Sequence, residues 1–319
     1  MENRSAEFFS IPTRAAHLAI ACGDGVGEAP VWDEAQQRLI WVDHFAGIIH
    51  EARYDAQRVL RETRRWDLKH HIAAALPCER GGLLIAGRRE VFRFDTTGGT
   101  TPVAAIDEDP LIRINEAKCD ARGRLWVGTL STEFKSCAAL YRITPDGAVT
   151  RMLEGVRLAN GFDWSPDGAT FYFIDSLSSA VDAFDFDVGP GTIGNRRQLI
   201  RIEWGEGAPN GMTVDREGCL WIALTGGGEV RRYAPNGVLL ERITLPVPGA
   251  TSCAFGGADH SDLFITTRSG RMPDIALTIG VRPEMMEATG PAAGALYVCR
   301  SGVQGTPAHP WSIGSSRAC

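Results

Sequence analysis

The chain alternates short apolar runs with polar turn residues, and nowhere does it sustain a period of 3.6 residues over three or more turns. Six runs share one pattern: Arg38-Leu39-Ile40-Trp41-Val42-Asp43, Gly82-Leu83-Leu84-Ile85-Ala86-Gly87, Arg124-Leu125-Trp126-Val127-Gly128-Thr129, Thr170-Phe171-Tyr172-Phe173-Ile174-Asp175, Cys219-Leu220-Trp221-Ile222-Ala223-Leu224 and Asp262-Leu263-Phe264-Ile265-Thr266-Thr267. Their central residues, Trp41, Leu84, Trp126, Tyr172, Trp221 and Phe264, fall 43, 42, 46, 49 and 43 positions apart. β-rich units with periods in the forties are propeller blades, because one such sheet cannot bury its faces alone. Each apolar run leads to another strand and then a turn, as in Ala139-Leu140-Tyr141-Arg142-Ile143 before Pro145-Asp146-Gly147, or Glu229-Val230-Arg231-Arg232-Tyr233 before Pro235-Asn236-Gly237. Asp-Gly and Asn-Gly pairs supply the positive φ that tight hairpins need. The pattern predicts an all-β fold, a six-bladed β-propeller with four-stranded antiparallel blades around a central channel.

A second register runs through the same repeats. Asn115, Asn160 and Asn210 each lie eight positions before a turn glycine (Gly123, Gly168, Gly218), with Asp120, Ser165 or Asp215 five positions after the Asn. Glu28 enters the frame through Trp32 and Asp33, which match Trp164 and Ser165. Glu79 and Phe255 extend it to the remaining blades and put Ala74 and Thr251 in the same slot. The innermost strands of a propeller line its channel, so Glu28, Ala74, Asn115, Asn160, Asn210 and Thr251 are expected to meet near one mouth. A carboxylate and three amides converging there suit a hard or borderline divalent cation such as Ca²⁺. The bland alternative is that Asn160-Gly161 and Asn210-Gly211 are plain turns, as Asn236-Gly237 is. Their sharing a register with Asn115 and Glu28 favours a site.

Composition narrows the picture. The repeats run almost end to end through 319 residues without a linker, so one domain is expected, with residues 1–14 as an N-terminal extension and 305–319 as a C-terminal tail. The formal charge is −6 with both signs interspersed, which argues against nucleic acid as a partner. No apolar run approaches the roughly 20 residues that span a bilayer, and Met1-Glu2-Asn3-Arg4-Ser5-Ala6-Glu7 lacks a signal's apolar core. A cytoplasmic protein, monomeric or weakly dimeric, is expected. Eight scattered cysteines without a Cys-x-x-Cys pair read as reduced, mostly buried thiols. Gly226-Gly227-Gly228 reads as a hairpin loop, and one of His70 and His71 could reach the channel mouth, since neighbours on a strand face opposite ways. No Gly-x-Ser-x-Gly elbow is present.

These residues resemble the senescence marker protein (regucalcin)/gluconolactonase/luciferin-regenerating enzyme family. The matching segments are Gly27-Glu28-Ala29-Pro30-Val31-Trp32, Arg113-Ile114-Asn115-Glu116-Ala117-Lys118, Gly123-Arg124-Leu125-Trp126-Val127-Gly128-Thr129, Asn160-Gly161-Phe162-Asp163-Trp164-Ser165-Pro166-Asp167-Gly168, Pro209-Asn210-Gly211-Met212-Thr213-Val214-Asp215 and Thr251-Ser252-Cys253-Ala254-Phe255-Gly256-Gly257. The resemblance implies a hydrolase that opens a small hydroxylated sugar-acid lactone with one divalent cation, Ca²⁺ first, with Zn²⁺, Mn²⁺ or Fe²⁺ as alternatives. It implies Glu28, Asn160 and residue 210 as metal ligands, and Arg113, Asn115 and Glu133 as substrate contacts. The chain departs from the family in carrying Asn210 where Pro-Asp-Gly-Met is usual, and Asn115-Glu116-Ala117-Lys118 where Asn-Asp-Gly-Lys is usual. An amide can ligate a metal but cannot serve as general base, so Glu133 and His71 are the replacement candidates. Three accounts of Asn210 stay open: a base placed elsewhere, recruitment to non-hydrolytic biosynthetic chemistry, or an Asp-to-Asn change that traps a ligand. A non-catalytic metal-binding module is the further alternative.

Overall fold

The computed structural model describes residues 10–106, 109–271 and 276–312. They form six four-stranded antiparallel blades in a ring. The innermost strands are Gly27–Asp33, Ala74–Pro77, Ile112–Cys119, Ala159–Trp164, Ala208–Val214 and Ala250–Gly256, each touching its neighbours in the ring. The apolar runs of the repeat are the second strands, from Arg38–Asp43 to Asp262–Thr267. Trp41, Trp126 and Trp221 in these strands are fully buried, and the apolar clusters lie between successive blades. A blade is therefore hydrophobic on both faces, which is why its second strand reads as a continuous apolar run.

The residues five positions after Asn115 and Asn210 serve the fold. Asp215 accepts the backbone N–H groups of Glu217 and Cys219, the Trp221 indole N–H at 2.9 Å and Arg232 Nε at 2.9 Å. Asp120 does the same for Arg122 N, Arg124 N, Trp126 Nε1 and Arg124 Nε. Asp215→Ala would leave the buried Trp221 indole unpaired and Arg232 with Glu217 as its remaining carboxylate partner, so it is expected to destabilise the protein by about 1–3 kcal/mol, read as a lower urea midpoint. An unchanged midpoint would remove this aspartate from the set that holds the blade.

The ring closes through the N-terminal segment. His17–Ile20 pairs with Leu296–Arg300 as the outer strand of blade six, so the last blade contains both ends of the repeat. Thr13–Ala15 adds a fifth strand, parallel to Leu239–Thr244, to blade five. Residues 13 and 14 of the expected extension thus belong to a sheet, because the exposed edge of blade five offers unpaired backbone groups. Within the expected tail, Gly305 bridges to Asp215, and Trp311, 2% exposed, bridges to Cys78. Residues 1–9 and 313–319 lie outside the described residues. The seven described cysteines are all free thiols, five of them buried. No described helix is long and apolar enough to cross a membrane.

Candidate functional site

Five of the six innermost strands carry an irregularity at the slot residue. The pairing register shifts between Glu28 and Val31, Ile114 and Glu116, Ala159 and Phe162, Pro209 and Met212, and Ala250 and Ser252. Blade two, whose slot holds Ala74, pairs with no shift from Ala74↔Ala86 to Pro77↔Leu83. A bulge turns a strand locally and re-aims a side chain. The polar slots and the bulges coincide, and the apolar slot has neither. Asn160-Gly161 and Asn210-Gly211 are therefore strand residues, not turns. Neither glycine has positive φ; each is there because blades approach closely, a Cβ on Gly211 falling 2.0 Å from Ser252 Oγ and one on Gly161 2.4 Å from Met212 N.

Hydrogen bonds fix how the slot side chains point. Asn115 Nδ2 donates to Ala159 O at 2.8 Å. Asn160 Nδ2 donates to Ser176 Oγ, which donates to Pro209 O. Asn210 Nδ2 donates to Thr225 Oγ1, which donates to Ala250 O. Thr251 Oγ1 donates to Gly27 O at 2.5 Å. Each polar slot residue from blade three to blade six is thus tied to the carbonyl just before the next slot in the ring. With the amide nitrogens committed to the wall, the amide oxygens are the atoms left for the cavity. Asn160 Oδ1 accepts Asn115 Nδ2 at 3.0 Å, and Asn210 Oδ1 is buried with no hydrogen-bond partner.

All five polar slot residues line one cavity of about 360 Å³. Glu28, 8% exposed, has Ala29 N at 3.3 Å as its hydrogen-bond donor. Burial, and after it the Glu116 carboxyl, pushes its pKa well above the usual carboxylate range. A buried carboxylate and an orphaned amide oxygen are both costly alone. Glu28, Asn160 and Asn210 are the residues that could hold a divalent cation, and their oxygen-only donor set fits one. The other acidic cluster, Asp215, Glu217 and Cys219 within 4.8 Å, is a poor alternative, since Asp215 already accepts four hydrogen bonds.

Arg113 reaches the cavity from the same strand as Asn115. Its guanidinium lies over the Phe45 ring, 5.1 Å from the centroid, and Nη1 donates to His44 Nε2 at 3.0 Å. Arginine can only donate, so His44 Nε2 is the unprotonated nitrogen. His71 Nε2, 3.1 Å from both Ile114 O and His44 Nε2, then carries its proton. Burial and next His71 and Arg113 hold His44 well below its usual pKa; burial and then Arg113 bring His71 down to about 4.

His71 therefore stands behind His44, which lines the cavity, while His70 turns away and bonds Leu68 O. Glu133 is not brought to the site: Thr132 and Phe134 line the cavity, while Glu133 is half-exposed and paired with Lys135 at 2.5 Å. The turn after Leu125–Ser131 directs alternate side chains in and out, and Glu133 falls on the outer side. Sequence reasoning missed His44, Phe45, Ser176, Thr225 and Arg268. The hydroxyls had a signal, a Ser or Thr sixteen or fifteen positions after Asn160 and Asn210.

A closed six-bladed propeller with a ring of polar side chains lining one cavity defines the class. The chain belongs to the family described as SMP-30/Gluconolactonase/LRE-like region, which matches residues 26–269. It is 38% identical to the regucalcin of Danio rerio over 293 residues, 90% of this chain and 95% of that protein. Its fold is similar to that of a calcium-binding regucalcin from Agrobacterium tumefaciens, with a TM-score of 0.82 and 26% identity over 95% of this chain and 99% of that one. It is equally similar to a luciferin-regenerating enzyme, with a TM-score of 0.82 and 25% identity over 93% and 100% of the two chains.

Proposed function

We propose that the protein is a divalent-cation-dependent hydrolase that opens a small lactone. The observation that carries this reading is the ring of committed amides, which leaves Asn210 Oδ1 unpartnered in the same cavity as the buried carboxylate of Glu28. The calcium-binding relative and the gluconolactonases named in the family description support it.

Glu28, Asn160 and Asn210 would hold the cation, which when bound polarises the lactone carbonyl and offsets charge developing on its oxygen. Arg113 and Asn115 orient the ring and its polar substituents, and the Arg113 fork lies ready because Phe45 and His44 pre-position it. Asn210 cannot take a proton from water. Among the described cavity residues, Glu28 is the group able to do so, since His44 Nε2 already accepts from Arg113 and His71. Free thiols fit a reducing compartment such as the cytoplasm. Asn210 alone favours a second reading, a propeller recruited to non-hydrolytic chemistry.

The test is a proton-release assay across aldonolactones and simpler lactones with Ca²⁺, Mn²⁺, Zn²⁺ or Fe²⁺ added in turn. Cation-dependent opening of at least one lactone is expected. Failure with every lactone and every cation would sink the hydrolase reading in favour of the second.

A further inference from the structure

The charges around the cavity do not balance. Among the described residues, the buried arginines outside the cavity meet carboxylates: Arg38 pairs with Asp33 and Glu51, Arg124 with Asp120, and Arg231 with Glu206 and Glu229, whereas part-buried Arg142 and Arg157 meet backbone carbonyls. Two arginines that line the cavity do not, for neither Arg113 nor Arg268 has a carboxylate partner among the described residues. Arg113 is held by a ring face, a neutral imidazole and Asn115 Oδ1 at 3.4 Å. Arg268, 2% exposed, spends Nη1 on Gly270 O and Nη2 on Met286 O, and its Nε is buried with no partner. Burial lowers the pKa of both, and Arg88 adds to the effect on Arg113, yet both stay protonated at neutral pH.

A buried cation without a counter-charge is expensive, and a binding site is the usual place to keep one, because the ligand supplies the partner. Among the described residues, Glu28 is the one carboxylate lining this cavity, against two guanidiniums. The side chains alone therefore leave one positive charge over, and a divalent cation would add to the excess. The amide at 210 matters here, since a second carboxylate at that slot would have cancelled the charge that remains.

We infer that the ligand is an anion, specifically a lactone that already carries a carboxylate, gripped by Arg113 and Arg268. This rests on the hydrolase reading for the lactone and on charge balance for the carboxylate. An anion answers the uncompensated positive charge, and guanidinium N–H groups, the unpartnered Arg268 Nε among them, donate well to carboxylate oxygens. In the reaction the acyl C–O bond of the ring breaks and the water oxygen bonds to the carbonyl carbon. The ring oxygen leaves as a hydroxyl with one proton from water, and the other proton is released as the new carboxylic acid ionises.

The experiment uses γ-butyrolactone bearing a carboxylate on its γ-carbon, set against the methyl ester of the same compound. The carboxylate form should be preferred in kcat/KM by about tenfold or more, the scale of one hydrogen-bonded charge, and the preference should collapse in Arg268→Gln and in Arg113→Gln. The ratio is taken within one protein, so a general loss of activity does not imitate the result. If Arg268→Gln does not fold, Arg268→Lys, which keeps the charge, should keep part of the preference. Calorimetry of the carboxylate lactone with metal-free protein is the second readout, with binding expected in wild type and lost in Arg268→Gln. Equal or faster opening of the ester overturns the inference and leaves the hydrolase reading standing. Carboxylate binding without opening of either compound keeps the anion site and, where the wider lactone panel is inert too, overturns the hydrolase reading. Neither binding nor opening overturns the anion site, and with an inert lactone panel it overturns both.

Discussion

Replacing Glu28 by glutamine is expected to release the bound cation and abolish turnover while leaving the propeller folded. Glu28 is the only carboxylate of the axial ring; the other oxygen donors are amides and a hydroxyl. A hard divalent cation draws most of its affinity from carboxylate charge. The loss should therefore exceed the roughly 10- to 100-fold that mutating an outer-shell partner costs. The fold should survive, because the carboxylate's hydrogen-bond donor is Ala29 N, which the glutamine oxygen can also satisfy. The β-sheet itself is held by apolar clusters between blades. The measurement is elemental analysis and calorimetric cation affinity alongside circular dichroism. Stoichiometric metal in the variant would make Glu28 a structural residue of blade one and break the proposed ligand set.

What the sequence revealed and what it hid follow from how a propeller is built. The second strands are buried on both faces, so their apolar runs announced the repeat, and Trp126 and Trp221 marked the period because each anchors to an aspartate in the preceding turn. The slot residues were legible because one chain position per blade meets the axis. The bulges that aim them leave no sequence signal beyond the polar residue itself. Interactions between blades were hidden: His44 reaches Arg113 across 69 positions, and Arg268 comes from the far end of the chain. Glu133 was carried over on a family motif alone, and its loop turns it to solvent, where Lys135 pairs with it. The closing strand was illegible for another reason. His17–Ile20 belongs to the last blade although it precedes the first, so a repeat read in chain order leaves it outside.

Asn210→Asp is expected to raise lactone hydrolysis and cation affinity together, while making the metal-free protein less stable. The amide at 210 donates to Thr225 Oγ1 at 2.9 Å and leaves Oδ1 without a partner. An aspartate there must instead accept from that hydroxyl, which then gives up its bond to Ala250 O. The exchange costs on the order of 1 kcal/mol for the lost hydrogen bond, and it adds a second buried carboxylate to the cavity that already holds Glu28. Without a cation the lost hydrogen bond and the desolvation of the new carboxylate oppose folding, so the metal-free variant should unfold at lower urea than metal-free wild type. With a cation the sign reverses, since two carboxylates now face two positive charges. A positioned general base adds about 10²- to 10⁴-fold to the rate, and calorimetric cation affinity measured beside kcat separates that term from tighter metal binding. The same change lowers the surplus positive charge around Arg113 and Arg268, so the preference for a carboxylate-bearing lactone should shrink as the overall rate rises. A variant with unchanged rate, cation affinity and metal-free stability would place residue 210 outside the site, and the shared register of Glu28, Asn115, Asn160 and Asn210 would then be a property of the fold alone.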